Sequence, residues 1–156
     1  MATVTVKGID KLTRRFNKLA NMELKSEMNK AVEIVHGQAE NLAPVDTGTL
    51  AGSIKMSVKT LPNGLQGRVY TNEEYAAYVE FGTGVKGNGT YPYTIKGFNL
   101  TYHPKGWAYV DEDTGEWVYT KGQEAQPYMY PALKMHENTI KAIFKNGVRT
   151  KVKGGK

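Results

Sequence analysis

The sequence predicts one α+β domain, with antiparallel strands and hairpins packed against N-terminal and C-terminal helices. Apolar residues recur at helical spacing up to Leu42 and again after Pro131, and between these stretches two alternating segments fold back on turn residues. No internal repeat and no linker rich in Pro, Gly or Ser divides the chain, and 156 residues can bury one hydrophobic core but hardly two.

After a short extended start, Gly8-Ile9-Asp10 reads as a helix start with Asp10 as N-cap, followed by Leu12, Phe16 and Leu19 at helical spacing. A second helix carries Leu24, Met28, Ala31, Val32, Val35, Ala39 and Leu42 on one stripe, with lysines and glutamates opposite. Pro44 ends it, because the residue before a proline is pushed out of the α region. Val45-Asp46-Thr47-Gly48-Thr49-Leu50 is then a turn in which Asp46 or Thr47 can accept hydrogen bonds from the amides that follow.

Ile54, Met56 and Val58 alternate with Lys55, Ser57 and Lys59, the period of a half-buried strand. Leu61-Pro62-Asn63-Gly64 is a hairpin turn and Arg68-Val69-Tyr70 the return strand. Asn72 is placed to cap a short helix over 73–81, with Tyr75, Ala76, Tyr78 and Val79 facing inward and Gly82-Thr83-Gly84 stopping it. Residues 85–104 show no sustained period. That is long for a loop in a compact domain, which marks it as functional, mobile or ordered by a partner.

A second hairpin places Trp107 and Tyr109 on one side of Asp111-Glu112-Asp113-Thr114-Gly115-Glu116 and Trp117 and Tyr119 on the other, predicting cross-strand aromatic pairs. The last helix has Pro131 in its first turn and Leu133, Met135, Ile140, Ala142, Ile143 and Phe144 at its apolar positions, with Asn146-Gly147 as its stop. The domain therefore spans 1–147. Residues 148–156, with Arg149, Lys151, Lys153 and Lys156 and no acid, read as a basic flexible tail.

Chemistry is sparse. The absence of cysteine excludes disulfides and thiolate metal sites and fits a reducing compartment. Gly82-Thr83-Gly84-Val85-Lys86-Gly87 matches G-x-G-x-x-G literally, but it follows a helix rather than a strand, so a helix stop and loop explain the glycines better than a cofactor. The acidic hairpin tip resembles the front of a calcium loop whose closing position is Gly122 instead of glutamate. His36, His103 and His136 are too scattered for a metal site, and no nucleophile motif is present. The sequence therefore assigns no catalytic residue, no cofactor and no metal. The N-terminus has neither a basic patch nor an apolar stretch of the signal-peptide kind, and no apolar run approaches the ~20 residues of a membrane span.

Surface chemistry is more informative. A net charge of +6 suits nucleic acid or an acidic protein partner. Tyr91, Tyr93, Tyr102, Tyr128 and Tyr130 fall outside the periodic segments, and tyrosine combines large apolar area with a polar end, which suits a protein contact. Between 85 and 104 only Lys86, Lys96 and His103 could support nucleic-acid stacking.

Three stretches together resemble the small tail-component family of long-tailed bacteriophages and prophages, whose members are described as head–tail joining, neck or tail-completion proteins. They are Ala43-Pro44-Val45-Asp46-Thr47-Gly48-Thr49-Leu50 with Ser53-Ile54; Tyr75-Ala76-Ala77-Tyr78-Val79-Glu80-Phe81-Gly82-Thr83; and Gln126-Pro127-Tyr128-Met129-Tyr130-Pro131-Ala132-Leu133. The similarity spans nearly the whole chain; residues 85–122 look longer than a minimal member needs. The resemblance implies a non-enzymatic virion protein of the neck, made in the bacterial host cytoplasm. It implies a ring, commonly a hexamer, between the head connector or adaptor and the tail tube or tail terminator, surrounding the DNA channel, with no membrane partner. By motif match Asp46, Thr47, Gly48, Glu80, Phe81, Gly82, Thr83, Pro127 and Pro131 are its marked positions, most of them expected to shape turns and helix ends. Phe81 is expected in the core, and Glu80 as a solvated residue or a subunit contact. The competing reading is a basic nucleic-acid-binding module.

Overall fold

The structure, a computed structural model, describes residues 24–45, 48–62, 64–97, 99–111 and 113–153. The expected helix of Leu12, Phe16 and Leu19 lies outside them, as do Asp46, Thr47, Asn63 and Glu112.

Helix α1 (Lys25–Leu42) follows its apolar stripe and buries Ala31, Val32, Val35 and Ala39. It stops where the sequence places the stop: Ala43, before Pro44, turns extended with φ −60° and ψ 131°. The short helix α2 (Thr49–Ser53) starts at Gly48 and leads into the hairpin of β1 (Lys55–Leu61) and β2 (Gly64–Tyr70). Leu61 pairs with Gly64, which closes the hairpin where the sequence places its turn. The hairpin lies directly under α1: a Cβ on Gly67 would sit 2.4 Å from Val32 Cγ2. His36 donates from Nε2 to the Ile54 carbonyl at 2.9 Å, tying α1 to the start of the hairpin.

Helix α3 (Ala76–Phe81) is followed by the single turn α4 (Gly84–Gly87). Its start differs from expectation. Thr71, not Asn72, supplies the local acceptor, taking the Glu73 amide at 3.1 Å while bonding Ser53 at 2.7 Å. The inward face also differs: Tyr75 and Tyr78 are exposed, and Ala76 and Glu80 are buried.

The second hairpin, β3 (Trp107–Val110) and β4 (Trp117–Thr120), forms where expected, but its cross-strand aromatic pairs do not. Trp107 faces Thr120 and Tyr109 faces Val118, while Trp117 and Tyr119 face Val110 and Ala108. The turn sets this register through the Asp111 amide bond to the Glu116 carbonyl, reinforced by Asp111 Oδ1, which accepts from the amides of Asp113 and Thr114. Odd-numbered residues of one strand then oppose even-numbered residues of the other, so each face carries the aromatics of one strand.

The last helical stretch breaks at His136 into α5 (Met129–Met135) and α6 (Glu137–Lys153). Leu133, Met135 and Ala142 are exposed rather than buried, whereas Ile140 packs on the core. The expected stop at Asn146-Gly147 is absent, and the residues assigned to a tail are helical as far as Lys153. The cause is tertiary. Gly147 is buried under Glu27, whose Cγ would lie 2.4 Å from an added Cβ, and Lys151 pairs with Glu27 at 3.2 Å. Serine and lysine bonds hold that carboxyl below its usual range, the Ser26 hydroxyl contributing most.

The core gathers Val35, Ala39, Ala43, Leu50, Ile54, Ala76, Tyr128 and Ala132. Helix α1 is its centre, packing on β1, β2, α5 and α6.

Candidate assembly interface

The three sequence stretches that carry the family resemblance meet in this core. Ala43, Leu50 and Ile54 come from the first, Ala76 from the second, and Tyr128 and Ala132 from the third. Glu80 joins the second to the third. Its Oε2 accepts from the amides of Tyr128 and Met129 at 2.7 and 2.8 Å, and its Oε1 from Tyr130 at 3.1 Å and the Tyr91 hydroxyl at 3.4 Å. The first amides of a helix have no partner within the helix, and here Tyr128 at the N-cap makes no side-chain cap. A carboxylate from α3 takes their place, where the helix dipole also favours negative charge. At 4% exposure Glu80 is not the solvated residue expected, because its carboxylate is engaged within the chain. Burial, with the Glu80 carboxylate adding to it, pushes the Tyr128 hydroxyl up to about 12 and the Tyr91 hydroxyl up in the same direction.

Around this cap the chain from Val79 to Thr90 runs beside the chain from Lys121 to Gln126. Thr83 donates its amide to Gln123 at 2.9 Å, Lys86 to Lys121 at 3.1 Å, and Gln126 to Val79 at 2.8 Å. The Ala125 amide reaches Thr90 Oγ1 at 2.9 Å. The glycines of the G-x-G-x-x-G match serve this close approach. A Cβ on Gly87 would lie 2.7 Å from the Gly82 carbonyl carbon, and one on Gly84 2.5 Å from the Lys121 oxygen. Pro131 is buried in the first turn of α5, Pro127 is half-buried, and Gly48 begins α2.

The expected interface tyrosines divide. Tyr128 is 1% exposed and belongs to the core, a correction that follows from its position beneath the Glu80 cap. Tyr91, Tyr93 and Tyr130 are half-buried in an aromatic run with Phe81: centroids are 5.0 Å apart for Phe81–Tyr91, 5.6 Å for Tyr91–Tyr93 and 4.9 Å for Tyr93–Tyr130. Tyr102 donates to the Phe81 carbonyl at 2.9 Å. Between these anchors Lys96 is exposed. Limited trypsin digestion is therefore expected to cut at Lys96 well before Lys86 or Lys121, whose backbones are paired; mass spectrometry showing first cleavage at Lys86 would contradict it.

The most exposed aromatics are elsewhere. Trp117 and Tyr119 on β4 are 75% and 63% exposed, with Tyr78, Tyr109 and Trp107 also open. Sequence reasoning missed them as a surface because it paired them across the hairpin. The available signal was parity, since aromatics at odd positions on both strands cannot share a face in this register.

An apolar groove of about 640 Å³ lies between α1, β2, α5 and α6, lined by Met28, Val32, Phe81, Leu133, Ile140 and Phe144 among others. Glu80 is the carboxylate at its wall, and its oxygens are engaged with the α5 amides. Among the described residues no three His, Cys, Asp or Glu side chains are grouped to hold a metal, and no helix is long and apolar enough to cross a membrane.

The model of a family described as "Bacteriophage HK97-gp10, putative tail-component" matches residues 9–82, which include the first resemblance stretch and the second as far as Gly82. Neither a curated protein nor a solved structure matches the chain. Over residues 9–82 the chain is similar to the HK97-gp10-like family of putative bacteriophage tail components.

Proposed function

We propose that the protein is a structural virion component that completes the tail at its junction with the head, acting by protein–protein assembly and without turnover. In this reading copies form a ring, commonly a hexamer, between the head connector or adaptor and the tail tube or tail terminator, around the channel through which DNA leaves. The observation that carries it is the division of the aromatic residues. The family motifs lock a compact core through Glu80, while Trp107, Tyr109, Trp117 and Tyr119 stay on an exposed hairpin. Exposed aromatic surface of this kind is what protein contacts are built from. A ring needs one heterologous contact repeated around an axis, and a projecting hairpin suits that geometry.

Light scattering after size exclusion, across a concentration series, tests the reading. Discrete closed oligomers are expected. A monomer at all concentrations that binds naked DNA, with affinity falling steeply as salt rises, would favour a nucleic-acid-binding module instead. That second reading has its own observation: Lys145, Arg149 and Lys153 are exposed, four residues apart on α6, with no ion-pair partner among the described residues.

A further inference from the structure

A two-stranded hairpin is marginal on its own in water, and the Trp117 and Tyr119 face of this one is open. Among the described elements, strands β3 and β4 pack extensively only on each other. Backbone pairing at their base, Lys86 with Lys121 and Thr83 with Gln123, holds them to the body. The tip carries Asp111, Glu112, Asp113 and Glu116. Asp111 is turned onto its own loop, whereas Asp113 and Glu116 are exposed and have no ion-pair partner among the described residues.

Helix α6 has the opposite surplus. After Glu137 it contains no acid, and Glu137 itself is held by Lys134 and Lys141 at 2.9 and 2.6 Å. Lys151 is occupied by Glu27. Lys145, Arg149 and Lys153 therefore form a stripe whose charge the described part of the chain leaves unanswered.

We propose that the β3–β4 hairpin of one copy docks against the α6 stripe of a second copy, the Trp117 and Tyr119 face supplying the buried area and Asp113 and Glu116 meeting Lys145 and Arg149. This rests on the ring reading and names the contact that builds it. The two surfaces are different patches of one chain, so the contact is heterologous and leaves a free hairpin at one end and a free helix at the other until the assembly closes. The charges set direction and register, and the apolar area sets strength. An acidic tip repels DNA phosphates, so nucleic acid on the stripe would leave the hairpin unused.

The chain has no cysteine, so a Glu116→Cys/Arg149→Cys variant of the full chain can be joined cleanly by a short bis-maleimide. A ladder of covalent oligomers is expected, with each single variant stopping at dimers. In light scattering, Lys145→Glu/Arg149→Glu should weaken association about tenfold or more, and adding Asp113→Lys/Glu116→Lys to the same chain should restore it. Trp117→Ser/Tyr119→Ser should weaken it without any change of charge. Discrete oligomers with no ladder and no response to the charge swaps would overturn the hairpin–helix contact and leave the ring standing. A monomer throughout, with no ladder, would overturn the contact and leave ring formation to the connector. If the swaps abolish salt-sensitive DNA binding while oligomers persist, the stripe serves nucleic acid and the inference fails.

Discussion

Glu80→Gln is expected to destabilise the fold by about 3 kcal/mol, although it removes a single charge and keeps nearly the same shape. The carboxylate presents two acceptor oxygens to the amides of Tyr128, Met129 and Tyr130. Glutamine presents one, and its NH2 group would face an amide that also donates. Hydrogen bonds to a charged group contribute roughly 1.5–3 kcal/mol, and each buried amide left without an acceptor costs about 1–3 kcal/mol before the site relaxes. For a chain of 156 residues the melting temperature should fall by roughly 6–12 °C. The exposed Glu124→Gln is the control, with a change within about 0.5 kcal/mol. Equal melting of Glu80→Gln and the parent would mean that the carboxylate does not cap α5 in solution, returning Glu80 to the role of a contact residue.

Gly82→Ala should cost more, about 4 kcal/mol, from two sources that add. Gly82 has φ 74° and ψ 171°, a region open essentially to glycine, worth about 1–3 kcal/mol of strain for any other residue. The new Cβ would also lie 2.7 Å from the Ala125 amide nitrogen and 2.9 Å from the Gln123 oxygen, both backbone, so the paired segments must part by some tenths of an ångström. Overpacking of this kind adds about 1–3 kcal/mol. Gly48→Ala separates the two sources. At φ 79° with nothing within 4 Å of its Cβ, it carries the left-handed strain alone, about 1–2 kcal/mol. Urea unfolding of both variants reads the difference, and Gly48→Ala costing as much as Gly82→Ala would refute close packing at Gly82.

What was legible in the sequence was what depends on near neighbours. Helix α1 and its stop before Pro44, both hairpins, the helix stop at Gly82 and the α+β class all follow from periodicity and turn chemistry, which act over a few residues. The three motif stretches could be read as a family pattern, but not as one core.

Tertiary structure decided the rest, because the deciding partners are far apart in the chain. Glu80 turns inward only because amides 48 to 50 residues later need an acceptor. Tyr128 is core because that cap pulls α5 onto α1. Helix α6 passes Gly147 because Glu27, 120 residues earlier, covers the glycine and pairs with Lys151. A lone pattern of charges and glycines cannot encode such closures; a buried carboxylate facing three amides can, because leaving either side unpaired costs more than the local preference it overrides.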